Sequence, residues 1–503
     1  MPKKLIPLTI DAPGLLGLNT QQSGSVIPPG WATKLTNAIY DDVGRVASRK
    51  GSQRINVGAI AAPVKAIHEY LDEIGGRLNI FAADNKIYKE VSGVITDISG
   101  SITTPTDDYW KFQNFNGWCV GYQVGHKPVI LTTVGGTFTD GVGTMVNGTT
   151  ALSAYGRTWT VLNNTLSYTD LLIHNYTGGS SGTFDLSNFW PNGMDEGVAI
   201  ADFNGYLVVF GKNSIIVYQN PDDVSTMSIY EGIEGIGCIA RDSLQTIGKD
   251  LVFLSSTGLR SLSRAIQEEA MPLTDLSTHV RDSLVLAATT STSASIKSVY
   301  NKEDGFYLIS LPEKNVSYVF DLKFPNPDGT RRASTWDFGA TALGYTEGLR
   351  MLMGSGTNLL TEHKNYTDNS DTSGVGGTSY QLDYEGVWND FGEEVANYSK
   401  IPKQVSVLGA GTTGSSVTFK WVMDYGNTFL TRALSFSSVL PAQFGIAQFG
   451  IAVFGSSGGF ERTRSQLSST GQVMKSGIVV VIDGHSFALQ RFDILAKLGK
   501  LGI

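Results

Sequence analysis

Residues 203–213 read FNGYLVVFGKN, and this short stretch contains the parts of a tight β-hairpin unit. A polar turn at Asn204 and Gly205 comes first, an apolar run follows, and a second polar turn stands at Lys212 and Asn213. Asn and Gly tolerate the positive φ angles of tight turns, and the β-branched and aromatic run is typical of a buried strand. We therefore predict a strand held between two turns.

The same pattern recurs along the middle of the chain, as a glycine followed by an apolar strand, a polar turn and a second strand. The copies begin at Gly76, Gly117, Gly156, Gly205, Gly248, Gly305 and Gly348. Their spacing of roughly 40 to 57 residues is close to the length of a β-propeller blade. One hairpin cannot bury its apolar face alone, but blades packed around a ring can. Seven copies predict six or seven blades, and unrelated hairpins in a sandwich are the alternative.

Composition favours a mainly β protein with more than one domain. The chain has 503 residues, of which 17% are charged and 58 are glycine. Low charge with abundant glycine suits short strands and tight turns better than long helices. The net charge of −8 argues against a protein that grips nucleic acid through its phosphates. Cys119 and Cys238 lie far apart in apolar runs, so we expect buried free thiols.

Four segments are expected from the sequence. Residues 1–59 form an N-terminal arm, and residues 60–365 form the propeller. The Gly, Ser and Asp-rich stretch 366–379 is a linker or surface loop. Residues 380–503 return to strand patterns and form a C-terminal β domain that completes a platform with the N-terminal arm. No apolar window is long enough to cross a membrane as a helix.

The N-terminal arm resembles the start of the tail nozzle proteins of podoviruses, the family of tail tubular protein B. The resemblance rests on a progression of residues between positions 13 and 51. They are Pro13, Gly14, Leu15, Ser25, Ile27, Pro28, Pro29, Gly30, Ala32, Asn37, Asp42, Gly44, Arg45, Arg49, Lys50 and Gly51. The end of the chain, from Gly471, is similar to the ending of podoviral tail proteins, with a strand, a turn at Asp483 and Gly484, a strand and a short closing strand.

The resemblance implies a structural virion protein, made in the cytoplasm of the host bacterium and located in the viral tail. It implies a homohexameric ring that docks to the head-to-tail adaptor, carries tail fibres or tailspikes, and lets genomic double-stranded DNA pass without sequence-specific binding. It implies a platform built from both chain ends. The candidate docking residues are Pro28, Pro29, Gly30, Asn37, Arg45, Arg49 and Lys50. Another tail hub or fibre-attachment collar is the alternative within this class.

Three phenylalanines near the C-terminal segment, Phe444, Phe449 and Phe454, recur at a spacing of five. This spacing matches neither the helix nor the strand period, so the rings cannot share one face of a regular element. We interpret them as an intersubunit anchor or a hydrophobic constriction in a channel; core packing with glycine kinks is the alternative.

The sequence contains none of the familiar motifs of catalysis or metal binding. The six histidines form no metal-ligand pattern, and no nucleophile elbow, P-loop or dinucleotide fingerprint is present. Asn301–Gly305 and Asn326–Thr330 resemble calcium loops but lack the later carboxylates, and tight turns explain them. We therefore predict a protein without enzymatic activity, metal or cofactor. A propeller that binds or cleaves glycans is a further alternative.

Overall fold

Strands make up almost all of the regular structure in this protein. A computed structural model describes residues 5–58, 60–141, 144–191, 193–267, 275–392, 394–411, 416–436 and 460–501. The chain divides into two units. The platform unit comprises Met1–Gln53, Tyr318–Asp337 and Lys364–Ile503, and the propeller unit comprises Arg54–Ser317 and Phe338–His363.

Seven short strands occupy the beginning of the chain. They are β1 (Ile6–Asp11), β2 (Gly17–Leu18), β3 (Trp31–Ala32), β4 (Lys34–Thr36), β5 (Ala38–Tyr40), β6 (Val46–Ser48) and β7 (Ser52–Arg54). The turn between β5 and β6 is held by the carboxylate of Asp41, which accepts hydrogen bonds from the N–H groups of Val43 and Arg45 at 3.1 and 2.9 Å.

The propeller unit contains seven blades. The first four blades are four-stranded antiparallel sheets. Their strands are β8 (Ala66–Leu71), β9 (Arg77–Ala83), β10 (Lys86–Val91) and β11 (Val94–Asp97); β12 (Lys111–Phe115), β13 (Trp118–Gln123), β14 (His126–Leu131) and β15 (Thr139–Asp140); β16 (Thr150–Ala154), β17 (Arg157–Leu162), β18 (Thr165–Tyr168) and β19 (Gly182–Asp185); and β20 (Gly197–Phe203), β21 (Tyr206–Gly211), β22 (Ser214–Gln219) and β23 (Ser228–Glu234).

The last three blades are less regular, and short helices interrupt the chain between them. Their strands are β24 (Gln245–Ile247), β25 (Asp250–Ser255) and β26 (Gly258–Ser261); β27 (Lys297–Asn301) and β28 (Phe306–Leu311); and β31 (Ala342–Tyr345), β32 (Met351–Gly354) and β33 (Leu360–His363). The helices are α1 (Leu262–Gln267) and α2 (Arg281–Thr289), with 3₁₀ turns at Arg241–Ser243, Thr278–Val280, Ser293–Ser295 and Pro312–Lys314.

The blades close into a ring through their first strands. Contacts run from β8 to β12, β16 and β20, continue through the 3₁₀ turn Arg241–Ser243 to β27, and return through β31 to β8. The N-terminal edge of the unit joins the seventh blade, because the N–H of Ile55 donates to the carbonyl of Leu360 at 3.0 Å. Among the residues that the structure describes, this closure pairs the edges of the first and last blades with each other, as in closed β-propellers.

Each glycine of the sequence repeat stands just before the second strand of one blade. The seven copies therefore correspond to the seven observed blades, and the predicted mainly β fold with a propeller is confirmed. The polar turns take the backbone conformation expected of them: Asp84, Asn85, Asn163 and Asn204 have φ angles of 53°, 56°, 51° and 49°. Asn and Asp adopt this left-handed region more readily than most residues, which explains their place in the repeat.

Apolar side chains from neighbouring blades form the core of the ring. Val208, Phe210 and Val217 of the fourth blade pack in one cluster with Leu251 and Phe253 of the fifth, and all are almost fully buried. Burial of one such side chain contributes about 1.5–3 kcal/mol. The predicted free thiols lie in two of these clusters, and Cys119 and Cys238 are both fully buried.

The platform unit completes its sheets with strands from the later part of the chain. They are β29 (Val316–Pro325), whose first two residues belong to the propeller unit, β30 (Arg331–Trp336), β34 (Tyr380–Asn389), β35 (Tyr398–Gly411), β36 (Ser416–Met423), β37 (Leu430–Ser435), β38 (Phe460–Gln466), β39 (Met474–Ile482) and β40 (Phe487–Leu501). One sheet has the order β38-β35-β40-β6-β5, with β1 on β40. The other continues from β30 through β4, β34, β39 and β36 to β37.

The observed units differ from the predicted segments at several boundaries: residues 54–59 belong to the propeller unit rather than the N-terminal arm, and residues 364–365 belong to the platform unit rather than the propeller. Residues 318–337 were expected in the propeller but belong to the platform unit, where Thr335 of β30 pairs with Thr36 of β4. The final strands were expected as two, whereas β40 is one continuous strand of 15 residues. The stretch 366–379 is a surface loop with fixed ends, since the backbones of Asp368 and Thr378 bond to each other at 2.9 and 2.8 Å.

Candidate functional site

The two ends of the chain are hydrogen-bonded together in one sheet of the platform unit. Strand β1 pairs antiparallel with β40 from Ile6 opposite Ala496 to Asp11 opposite Arg491. Strand β6 pairs with β40 at Ala47 and Ala488, and the N–H of Phe487 donates to Oγ of Ser48 at 3.0 Å. The N-terminal and C-terminal segments that carry the family resemblance are therefore direct neighbours.

The Pro28–Gly30 tip is an exposed loop with a firm apolar base. Pro28 and Pro29 are exposed, while Ile27 and Trp31 on either side are buried against Val387. The carbonyl of Gly30 accepts a hydrogen bond from the N–H of Leu16 at 2.9 Å. Gly30 has a φ angle of 110°, which side chains disfavour, so glycine is required at this turn. The tip is thus a preformed surface feature, as a docking loop must be.

Arg45 and Lys50 are half-buried. The guanidinium of Arg45 forms an ion pair with Asp41 in the same turn. Its Nε donates to the carboxylate of Asp41 at 2.7 Å, and Nη2 lies 2.7 Å from the same oxygen. This pair fixes the β5–β6 turn.

Asn37 and Arg49 form a buried polar centre within the platform unit. Nε of Arg49 donates to Oδ1 of Asn37 at 3.0 Å, and Nη1 and Nη2 donate to the two carboxylate oxygens of Asp368 at 2.8 and 2.6 Å. The guanidinium lies 4.0 Å from the ring centre of Tyr380, so it is also stacked. Arg49 is 1% exposed and Asn37 is 0% exposed. Bidentate pairing and stacking are properties that Lys cannot supply.

The docking residues predicted from the sequence therefore separate into three groups, and the half-buried Arg45 and Lys50 form one of them. Pro28, Pro29 and Gly30 form a surface tip, whereas Asn37 and Arg49 are internal and hold strands together. The expectation that Asn37 and Arg49 offer a docking surface is wrong, because their side-chain polar groups already have partners inside the unit. Phe444, Phe449 and Phe454 lie outside the described residues.

The centre of the propeller ring contains a second cluster of interest, which we call the channel cluster: Lys111, Arg241, Asp242 and Lys297. Asp242 accepts hydrogen bonds from Nε and Nη2 of Arg241, both at 2.8 Å, and from Nζ of Lys297 at 2.5 Å. Nη1 of Arg241 donates to the carbonyls of Tyr109 and Thr149 at 3.3 and 2.8 Å. Arg241 thereby crosses the channel from the fifth blade toward the second and third.

Burial and neighbouring charges together shift the pKa values of the channel cluster. Burial alone would raise the pKa of Asp242, but the adjacent Arg241 and Lys297 outweigh this effect and hold the pKa well below its usual range. Burial lowers the pKa of Lys297 and of Lys111. Burial also lowers the pKa of His68 to about 4, although Asn114 bonds its Nε2 at 3.0 Å. His68 is therefore neutral at physiological pH.

Two cavities lie between the first strands of the blades and share Lys111, Leu244 and Gln245 in their walls. One has a volume of about 120 Å³ and is lined by His68, Lys111, Asp242 and Lys297, among others. The other has a volume of about 350 Å³ and is lined by Lys111, Arg241, Tyr300 and Lys302, among others. These walls combine hydrogen-bond donors and positive charge with one carboxylate each, from Asp242 in the smaller cavity and Asp202 in the larger.

Metal ligands do not come together in the part of the chain that the structure describes: no group of three His, Cys, Asp or Glu side chains is placed to hold an ion. The sequence repeat located the strands of the channel but gave no sign of the cluster itself. Its members are isolated in sequence except for Arg241 and Asp242, and only ring closure brings them together.

Within the described residues, no helix combines the length and apolar character needed to span a membrane.

Comparisons with known proteins add a distant structural likeness. No protein-family model matches the chain, and no curated protein sequence matches it. Among solved structures, the chain is similar to the WD40 domain of Pan2 from Neurospora crassa, with 9% sequence identity and a TM-score of 0.38. That alignment covers 66% of this chain and 100% of the WD40 domain.

Proposed function

We propose that this protein is a structural virion component that forms the oligomeric tail nozzle of a short-tailed phage. In this role it docks to the adaptor ring beneath the capsid portal and extends the channel through which DNA leaves. The observation that carries the proposal is the direct pairing of the two chain ends. The segments that resemble podoviral nozzle proteins, around β6 and in β40, meet in one sheet.

The exposed Pro28–Gly30 tip is the best candidate for the adaptor contact. Pre-shaped loops lose little conformational freedom when they bind, and proline reduces that loss further. Two prolines and a left-handed glycine make this tip rigid, and the buried Ile27 and Trp31 anchor it.

The acidic balance of the chain is compatible with a DNA conduit. Six copies at −8 each carry a formal charge of −48. Carboxylates facing a lumen repel phosphates over a Debye length of about 8 Å, so DNA slides without adhering. The propeller's own channel is not this conduit in the proposal, because Arg241 spans it to the carbonyls of Tyr109 and Thr149. The lumen lies between copies instead.

Binding to the adaptor tests the proposal and the role of the tip together. The chain has a mass of 54.1 kDa, and six copies correspond to about 325 kDa. Mixed with the adaptor ring of the same virus, the purified protein is expected to add this mass in native mass spectrometry.

Paired substitutions Pro28→Asp and Pro29→Asp should weaken adaptor binding by about tenfold or more, because they place charge in the contact and loosen the loop. Val375→Asp is the control, since Val375 is 67% exposed in the 366–379 loop of the same unit. A protein that stays monomeric with the adaptor would contradict the nozzle. Normal binding by the proline variant would contradict the tip assignment only.

A further inference from the structure

Lys111 is the cation of the channel cluster whose ammonium has no carboxylate oxygen within 4 Å among the described residues, although the charge of Asp242 acts on it from farther away. Arg241 and Lys297 both bond to Asp242. Among the described residues, the Lys111 ammonium makes no hydrogen bond and no ion pair within 4 Å. The side chain of Lys111 is half-buried and lies in the walls of both channel cavities.

An ammonium in this position is costly unless something in the cavity compensates it. Transfer of a charged group out of bulk water is unfavourable when no opposite charge or hydrogen-bond acceptor replaces the lost hydration. Burial lowers the pKa of Lys111, the charge of Asp242 opposes this effect, and the charge of Arg241 lowers the pKa further. The carboxylate of Asp242 in the cavity wall is already bonded to Arg241 and Lys297, so Lys111 lacks a second negative charge with several acceptor atoms.

The cavity fits a compact ligand rather than a polymer. Its volume of about 120 Å³ exceeds several-fold the roughly 30 Å³ that one water molecule takes up in the liquid. A strand of nucleic acid cannot thread past it, because Arg241 bridges the channel to the carbonyls of Tyr109 and Thr149. Compact oxyanions offer three or four acceptor atoms and a full charge in a small volume, which matches a set of ammonium donors.

We propose that the propeller channel binds a small oxyanion of the phosphate or sulfate class, with the Lys111 ammonium as its main partner and Lys297 as a second donor. Asp242 does not bond to the Lys111 ammonium, since its two oxygens already accept hydrogen bonds from Arg241 and Lys297. The ammonium is therefore left to bind the anion. The bound anion would neutralise the channel and join the second blade to the sixth.

Isothermal titration of the purified full chain with inorganic phosphate, and separately with sulfate, tests this site at constant ionic strength in chloride buffer. We expect binding of one anion per chain by at least one of the two. Lys111→Met should weaken the binding about tenfold or more, the loss expected for one hydrogen bond to a charged group. Lys111→Arg keeps the charge and should bind within about threefold of the unsubstituted protein.

Lys127→Met is the matched control, because Lys127 is an exposed lysine on β14 of the same blade. It should bind the anion as the unsubstituted chain does. Absence of binding by both anions would overturn the proposal, and so would full affinity in Lys111→Met. Should Lys111→Met fail to fold by circular dichroism, Lys111→Gln carries the same expectation. The titration is made on the isolated chain, so its outcome is independent of the nozzle proposal.

Discussion

Replacement of Asp242 by Asn is expected to destabilise the propeller by about 3 kcal/mol or more, because it leaves two buried cations without their carboxylate. The Lys297 and Arg241 side chains are only 6% and 13% exposed, so water can replace the lost charge only in part. Asn has nearly the same shape, so the change removes charge rather than volume. Hydrogen exchange of the amides in β27 measures the effect, with about 150-fold faster exchange expected for opening of the blade.

A control and a rescue make the Asp242 experiment specific. Glu196→Gln removes the partner of Lys212, but both side chains are about half exposed, at 52% and 54%. That substitution should cost about 0–1 kcal/mol. Adding Lys297→Met to Asp242→Asn removes one of the stranded cations, so the double variant should be more stable than the sum of the single effects predicts. Strict additivity would show that the two side chains do not interact.

The carboxylate of Asp242 makes the stability of the propeller depend on pH in the acid range. The pKa of Asp242 is depressed in the folded state, while an unfolded Asp has a pKa of about 3.9. Its stabilising contribution is therefore complete above about pH 4 and is lost as the pH falls toward the folded-state value, where the unfolded chain binds the proton first. Asp242→Asn lacks this component, so its stability should fall less than that of the unsubstituted protein between pH 5 and pH 3.

Arg49→Ala is the substitution with the largest expected effect on the platform unit. It removes the bidentate bonds to Asp368, the bond to Asn37 and the stacking on Tyr380 at once. Breaking a buried pair costs about 3–5 kcal/mol, and the lower end applies here because Asp368 is 21% exposed. We expect about 3 kcal/mol, measured by hydrogen exchange of the β34 amides next to Tyr380.

Arg45→Ala is the matched control for Arg49→Ala. Arg45 stands four positions earlier and pairs with Asp41, but that pair is more exposed, with side-chain exposures of 22% and 21%. Its removal should cost about 1 kcal/mol or less. Arg49→Lys should fall between the two, because an ammonium keeps the charge but cannot make the forked contact. Equal effects of Arg45→Ala and Arg49→Ala would contradict a buried structural role for Arg49.

The architecture was more accessible from the sequence than the polar centres were. Turn residues with positive φ and apolar strands recur at a regular spacing, and both properties are local, so Gly76 to Gly348 gave the second strand of every blade. Residues 318–337 belong to the platform unit, although they lie between two blades in sequence. Their position depends on the pairing of β30 with β4, which are about 300 residues apart. No local pattern contains that information.

Arg49 shows the same limit at the level of one side chain. In sequence it stands among Arg45, Lys50 and Arg54, and such a run is usually a solvated surface. Its partner Asp368 is 319 residues away in a loop rich in small polar residues. Tyr380 and Trp336, whose ring centres lie 4.0 and 5.6 Å from the guanidinium, are also remote in sequence. The exposed Pro28–Gly30 tip was easier to locate, because Pro and Gly themselves determine the local backbone.

Electron microscopy of virions that carry a gold label on this chain tests the nozzle proposal most directly. Asp371–Val375 in the exposed loop of the platform unit is a suitable place for the tag, since the side chains there face solvent. The account predicts a ring of label around the tail axis, immediately below the adaptor and absent from the capsid. Label confined to fibres or to the capsid, or intact virions without label, would contradict it.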